Sequence, residues 1–199
     1  MVVLREEQLF SNRGGIVNME IRKITQAYWL PDVTRCIQAG EHKILFGTTD
    51  APVVIVHRKT QVDEDTCARL GYEVLESYNN GGTIVSNAGD VVIAHFDEPE
   101  NGWLGRFTDY FVAWLKVKGL NAEYADNDIL IDGYKVCGMC ITRYGRIDYS
   151  GVYVGMDTKL DDIRAICRKP MKKIPRGLSE YGITSEEIEQ MFLDFCKQN

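Results

Sequence analysis

The residues best able to do chemistry are a carboxylate and an amine seven positions apart, in the run Asn127-Asp128-Ile129-Leu130-Ile131-Asp132-Gly133-Tyr134-Lys135-Val136-Cys137-Gly138. Apolar residues alternate on both sides of Asp132-Gly133, and that dipeptide is a strong signal for a two-residue hairpin turn. The hairpin places Asp128 and Lys135 on facing arms. An acid able to hold Mg²⁺ and an amine able to meet phosphate oxygens then face one ligand, the arrangement that stabilises charge when a carboxylate attacks the α-phosphate of ATP. The alternative is a hairpin turned to solvent, with Lys135 simply exposed.

A second segment, Asn79-Asn80-Gly81-Gly82-Thr83, lies between two strand-like runs. Its glycines let backbone N–H groups approach an anion with no Cβ in the way. A plain tight turn explains the same residues, and the chain contains no G-x-x-x-x-G-K-[ST] phosphate loop. Cys137-Gly138-Met139-Cys140 matches C-x-x-C, but it falls on a strand and lacks a second pair to complete a tetrahedral metal site. His42, His57 and His95 are scattered, and His95 sits in an apolar run where a core role is the simpler reading.

The elements around these segments point to an α+β protein with a mixed, mainly antiparallel sheet flanked by helices. Short β-branched runs at 43–46, 53–56, 72–75, 83–85, 91–96, 137–142 and 149–154 read as strands. A short helix is expected around 33–38, between Pro31 and Gly40. Asp63 to Leu70 reads as a helix closed by Gly71, and Leu104 to Lys118 as the strongest one, with Leu104, Phe107, Phe111, Trp114 and Leu115 at helical spacing. Asp157 is a candidate cap for a helix running to Cys167. Thr184 and Glu187 form a capping-box pattern before Ile188, Met191, Phe192 and Phe195.

The composition, 45% hydrophobic and 26% charged over 199 residues, suits one domain with a sizeable core. A net charge of −6 gives no electrostatic reason for nucleic acid to be the main partner. No run approaches the roughly 18 apolar residues of a membrane span, and no secretory signal is evident, so a cytoplasmic protein is expected. The six cysteines are expected as free thiols. Residues 1–18 differ in character from the rest of the chain and are expected to be a non-native or disordered extension, with Met19 as the true start and 19–199 as the single catalytic domain.

The two chemical segments together resemble the biotin/lipoate A/B protein ligase superfamily. The run from Asn127 to Gly138 is similar to N-D-[IL]-x-V-x-G-x-K-[VI]-[SA]-G. Some 45 residues earlier, Tyr78 to Asp90 resembles R-R-x-x-G-G-G-[AT]-V-[FY]-H-D-x-G-N. Gly151 to Leu160 parallels H-G-[TS]-L-L-x-[ND]-x-D-L, and Gly182 to Ile188 the stretch before the closing helix.

The resemblance extends from about Lys43 to the C-terminus and favours lipoate over biotin ligases. It implies a lipoate–protein ligase of the class II synthetase type that uses ATP and Mg²⁺ to convert lipoate, or a related medium-chain acid, to an acyl-adenylate. The acyl group would pass to a lysine of a lipoyl carrier domain, that of a 2-oxoacid dehydrogenase E2 or a glycine-cleavage H protein. It implies that Gly81, Gly82, Thr83, Ile84, Val85, Asn127 and Asp128 line the nucleotide, with Asp128 near the metal. Lys135 would be catalytic, and Asn79, Asn80, Lys135, Gly138 and Gly151 would contact the acid.

Several positions depart from the family pattern. Glu76 and Ser77 replace the paired arginines, Asn80 the first glycine, and Ser86 and Ser150 the histidines. A lost arginine removes a charge-assisted phosphate contact that Lys135 alone cannot replace, so another cation such as Arg58 or Arg69 must serve, or adenylation is weak or absent. The chain also stops where many such ligases continue into an accessory domain, which implies a separate accessory protein. The competing readings are a ligase-fold binding protein with a decayed phosphate grip, and an ATP-independent octanoyl or lipoyl transferase.

Overall fold

The computed structural model describes residues 6–12, 15–24, 26–77, 82–99 and 102–198, with side chains described from residue 31 onward. Asn79, Asn80 and Gly81, expected at the acid and nucleotide sites, lie outside the described residues. The core is an eight-stranded sheet in the order β1-β2-β3-β7-β11-β10-β9-β8, and a three-stranded sheet has the order β5-β4-β6. All pairings are antiparallel except β2 with β3 and β4 with β5. The mixed, mainly antiparallel α+β architecture is the one the sequence implies.

In chain order, β1 (Glu6–Asn12) and β2 (Gly15–Ile24) form a hairpin that continues the large sheet through β3 (Lys43–Thr49). The sequence reading has no strand there: it sets 1–18 apart as an extension, whereas β2 runs without a break through Met19. The helix α1 (Gln26–Ala39) is longer than expected and continues through Pro31, which gives up one helical hydrogen bond. Two strands, β4 (Val53–Val56) and β5 (Glu73–Glu76), flank α2 (Glu64–Leu70). Asp63 caps α2 by accepting from the Thr66 N–H at 2.8 Å, and Gly71 ends it at φ 82°.

The small sheet ends with β6 (Ile84–Ser86), and the chain returns to the large sheet as β7 (Val91–Asp97). Helix α3 (Trp103–Val117) buries Trp103, Phe107, Phe111 and Leu115. It is followed by β8 (Ala122–Ala125), β9 (Asp128–Ile131), β10 (Tyr134–Tyr144) and β11 (Ile147–Val154). Asp132 at φ 51° and Gly133 at φ 82° form the expected β9–β10 turn. Asp126 and Asn127, both at positive φ, form a second tight turn, between β8 and β9, that the sequence reading does not mark.

Helix α4 (Leu160–Ile166) begins after Lys159 with no side-chain cap, so Asp157 does not cap it; the Asp157 N–H instead points at the Asp90 carboxylate, 3.4 Å away. The closing α5 (Ser185–Gln198) has the expected capping box: Thr184 N–H donates to Glu187 Oε2 at 3.0 Å, and Glu187 N–H to Thr184 Oγ1 at 3.3 Å. Ile188, Met191, Phe192 and Phe195 are all buried.

The large sheet is covered on both faces. Helices α3 and α5 pack on one, around stacked Trp103 and Phe107 and the edge-on rings of Phe192 and Phe195. Val33 and Cys36 of α1 pack on the other, against Leu45, Ala94, Phe96 and Tyr149. A third cluster joins the small sheet to α2 and α4 through Val54, Val56, Cys67, Val85 and Ile166. No helix among the described residues is long and apolar enough to cross a membrane.

Candidate active site

A break in strand register creates the site. In β10, Gly138 pairs with Asp128 and Cys137 with Ile129, but Leu130 pairs with Lys135, so Val136 is an extra residue. Side chains alternate along a strand, so without this bulge Lys135 and Gly138, three positions apart, would point to opposite faces. With it, Asp128, Leu130, Lys135 and Gly138 share the face on which α1 packs further along, while Val136 and Cys137 enter the α3–α5 core. The Lys135 ammonium lies over Gly138, where an added Cβ would stand 3.0 Å from Nζ. It pairs with Asp128 Oδ1 at 2.8 Å, with side-chain exposures of 37% and 15%.

The backbone of Lys135 is pinned from outside the sheet. Its N–H donates to Ile174 O and its carbonyl accepts from Arg176 N–H, both at 2.9 Å, so residues 174–176 run alongside β10. That segment brings a second cation: Lys173 Nζ reaches Asp128 Oδ2 at 3.0 Å and donates to Ala125 O at 2.5 Å. Arg176 lies 3.6 Å from the centroid of the Tyr134 ring. Both Asp128 oxygens are therefore engaged by ammonium groups. A divalent cation placed there would face two positive charges, so the surroundings of Asp128 do not fit the Mg²⁺ role expected of it.

The glycine-bearing segment reaches the same face through Tyr153, which pairs with Gly138 across β10–β11. The Tyr153 hydroxyl contacts both the Val85 carbonyl, at 3.0 Å, and Asp90 Oδ2. Asp90 is 1% exposed, and its oxygens accept from the backbone N–H groups of Asn87 and Met156, both at 2.6 Å. Burial raises the Asp90 pKa against the pull of these donors, and burial, then the Asp90 charge, holds the Tyr153 phenol well above its ordinary value. In the two residues before β6, Gly82 is exposed and Thr83 half-buried; within the strand Ile84 is half-buried and Val85 buried.

The lipoyl protein ligase A/B catalytic-domain model matches residues 32–192. The chain belongs to this family. Among solved structures, it resembles Ta0514 of T. acidophilum, described as a candidate lipoate protein ligase and holding lipoic acid: 15% identity, TM-score 0.75, covering 90% of this chain and 83% of that one. A lipoate-protein ligase A bound with ATP matches at 16% identity and TM-score 0.69, over 83% and 76% of the two chains. A bi-partite lipoate protein ligase from Thermoplasma acidophilum, reported with its E2 lipoyl domain, matches at 17% identity and TM-score 0.66, over 78% and 70%. At these identities the structures show the shared fold. No curated protein matches.

Within this lipoyl-ligase domain, the structure brings Asp128, Lys135 and Gly138 together. Asn127 is set apart: it is exposed, its carbonyl accepts from Met139 N–H at 2.8 Å, and its side-chain oxygen accepts from the Tyr124 hydroxyl at 3.0 Å. Gly151 is two residues along β11 from Tyr153 on the same face, beside Cys140. Of the two candidate replacement cations, Arg58 follows β4, whose last residue pairs with Glu76 at the family's arginine position. Arg69 is an exposed residue of the last turn of α2.

Cys137 and Cys140 project into opposite faces of the sheet, so C-x-x-C forms no dithiol here, and burial raises both thiol pKa values. The thiols of the described cysteines are free. Lys173, Tyr153 and Asp90 escaped the sequence reading. The basic run Arg168, Lys169, Lys172, Lys173 and Arg176 was a signal for the first; nothing local marks the tyrosine–aspartate pair, whose members are far apart in sequence.

Proposed function

We propose that this domain activates lipoate, or a related medium-chain acid, with ATP and transfers the acyl group to a lysine of a lipoyl carrier protein. The observation that carries the reading is the Lys135 ammonium, turned by the Val136 bulge onto the face of Gly138 within a lipoyl ligase catalytic domain. The acid's carboxylate oxygen attacks the α-phosphorus of ATP; an O–P bond forms and the bond to pyrophosphate breaks. Lys135 exchanges Asp128 for the acid and the α-phosphate and offsets the charge that gathers there. The amine of the acceptor lysine then attacks the acyl carbon, and AMP leaves with the anhydride oxygen.

Asp128 serves in this reading to hold Lys135 and Lys173 in place before substrates arrive, and the segment from Gly82 to Val85 lines the nucleotide. Lys173 and Arg58 are the cations best placed to take over from the family's arginines, and no step is assigned to Mg²⁺ on Asp128. The structure reported with ATP and the one reported with an E2 lipoyl domain, both of the same fold, support the choice of nucleotide and acceptor. The test is acid-dependent exchange of labelled pyrophosphate into ATP. Lys135→Ala should lower exchange by about 10²-fold or more. Exchange unchanged in the variant, or absent from the wild type with every acid and with biotin, refutes the reading.

A further inference from the structure

From Arg164 to Arg176 the sequence has six arginines and lysines and no acid, and because the whole chain stands at −6, the remaining residues sum to −12. This basic strap leaves the end of α4, where Arg168 N–H donates to Gln61 O at 3.1 Å, and finishes alongside Lys135, held there through Ile174 and Arg176. Lys173 is taken up by Asp128 and Arg176 by the Tyr134 ring, whereas Arg164, Arg168, Lys169 and Lys172 are exposed. A pocket of about 140 Å³ is lined by Arg164, Arg168 and Lys169 together with Ile163, Pro170 and Met171, and no carboxylate lines it. The nearest acids hold two of these cations weakly, since Arg164–Asp161 at 3.4 Å and Arg168–Asp63 at 3.9 Å are surface pairs. Three cations beside apolar neighbours fit a carboxylate on a short aliphatic stem, the side chain of aspartate or glutamate.

We propose that this strap is the docking surface for the acceptor protein of the transfer, an acidic domain that seats one carboxylate side chain in the pocket. This rests on the reading that the acyl group passes to a protein lysine. Four residues separate Lys169 from Lys173, at most about 14 Å of extended chain. A compact domain of about 100 residues is roughly 30 Å across, so one docked partner covers the pocket and the site together. Complementary charge also speeds the encounter and fixes which face the partner presents. Nucleic acid fits the strap less well: its phosphate backbone would run on over a surface that is otherwise net negative, where like charges repel.

The experiment measures binding and acylation of an apo E2 lipoyl domain of net negative charge, at low and high salt, beside acceptor-independent pyrophosphate exchange. The strap variant is Arg168→Glu/Lys169→Glu, and the control, Lys116→Glu/Arg146→Glu, makes the same change in charge at exposed positions of α3 and the β10–β11 turn. The strap variant should lose at least about tenfold in affinity and in kcat/KM for acylation at low salt, a gap that narrows at high salt, while exchange stays within about twofold of the wild type. The control should bind as the wild type does. No binding by the wild type, equal binding by the strap variant, or an equal loss in the control overturns the inference, and exchange then reports separately on the ligase reading. Binding lost in the strap variant with no exchange for any acid upholds the surface and refutes the chemistry. A duplex oligonucleotide bound more tightly than the domain, and released by the same substitutions, assigns the strap to nucleic acid and overturns the inference. Wild-type affinity that does not fall with salt overturns it without any variant.

Discussion

Replacing Gly138 with alanine moves one group and little else. The new Cβ would stand 3.0 Å from Lys135 Nζ, 3.2 Å from Cε and 3.6 Å from Asp128 Oδ1. Ordinary heavy-atom contacts lie at about 3.5–4.0 Å, so the ammonium must retreat by roughly half an ångström to one ångström. The Lys135 side chain is 37% exposed and can move into solvent, which makes the change cheap for the fold, within about 1 kcal/mol. Catalysis is less tolerant: a misplacement of about 1 Å costs up to roughly 10²-fold. Gly138→Ala should therefore melt within about 4 °C of the wild type while kcat/KM for pyrophosphate exchange drops about 10- to 100-fold. A variant that folds and exchanges within threefold of the wild type would show that the position of this ammonium does not govern the chemistry.

Tyr153→Phe removes the hydroxyl held between Val85 and Asp90 and should cost about 2 kcal/mol, because one contact is to a buried acid, read as a lower denaturant midpoint; a loss below about 0.5 kcal/mol contradicts the assigned role. His95, stacked 4.4 Å from Trp103 and 5% exposed, has its pKa brought down to about 4, chiefly by burial. Its neutral form is the folded form, so its contribution is complete above pH 6.5 and is lost as pH falls towards 4, by at most about 3 kcal/mol. Urea titrations should show that loss flattened in His95→Phe, and equal slopes would exclude His95 as the source. Gly177→Ala would set a Cβ 2.3 Å from Met156 O and 2.9 Å from Thr158 N, backbone atoms that cannot swing aside. It should cost about 3 kcal/mol or more, and a near-native melting curve would refute that.

What the sequence determined by itself is local. The β9–β10 turn follows from the left-handed tolerance of Asp132-Gly133, the α2 end from Asp63 and Gly71, and the α5 start from Thr184 and Glu187, because each rests on bonds within a few residues. The apolar spacing in α3 and α5 likewise gave the core face, and the lysine hairpin gave the family. The β1–β2 hairpin was not legible, nor was α1 beyond Pro31, because distant pairing with β3 and packing on the sheet override weak local patterns. Only the tertiary structure decided which face Lys135 occupies, since one extra residue at Val136 reverses the alternation. It alone joined Lys173 to Asp128 and Tyr153 to Asp90, contacts set by strand register and not by neighbouring residue types.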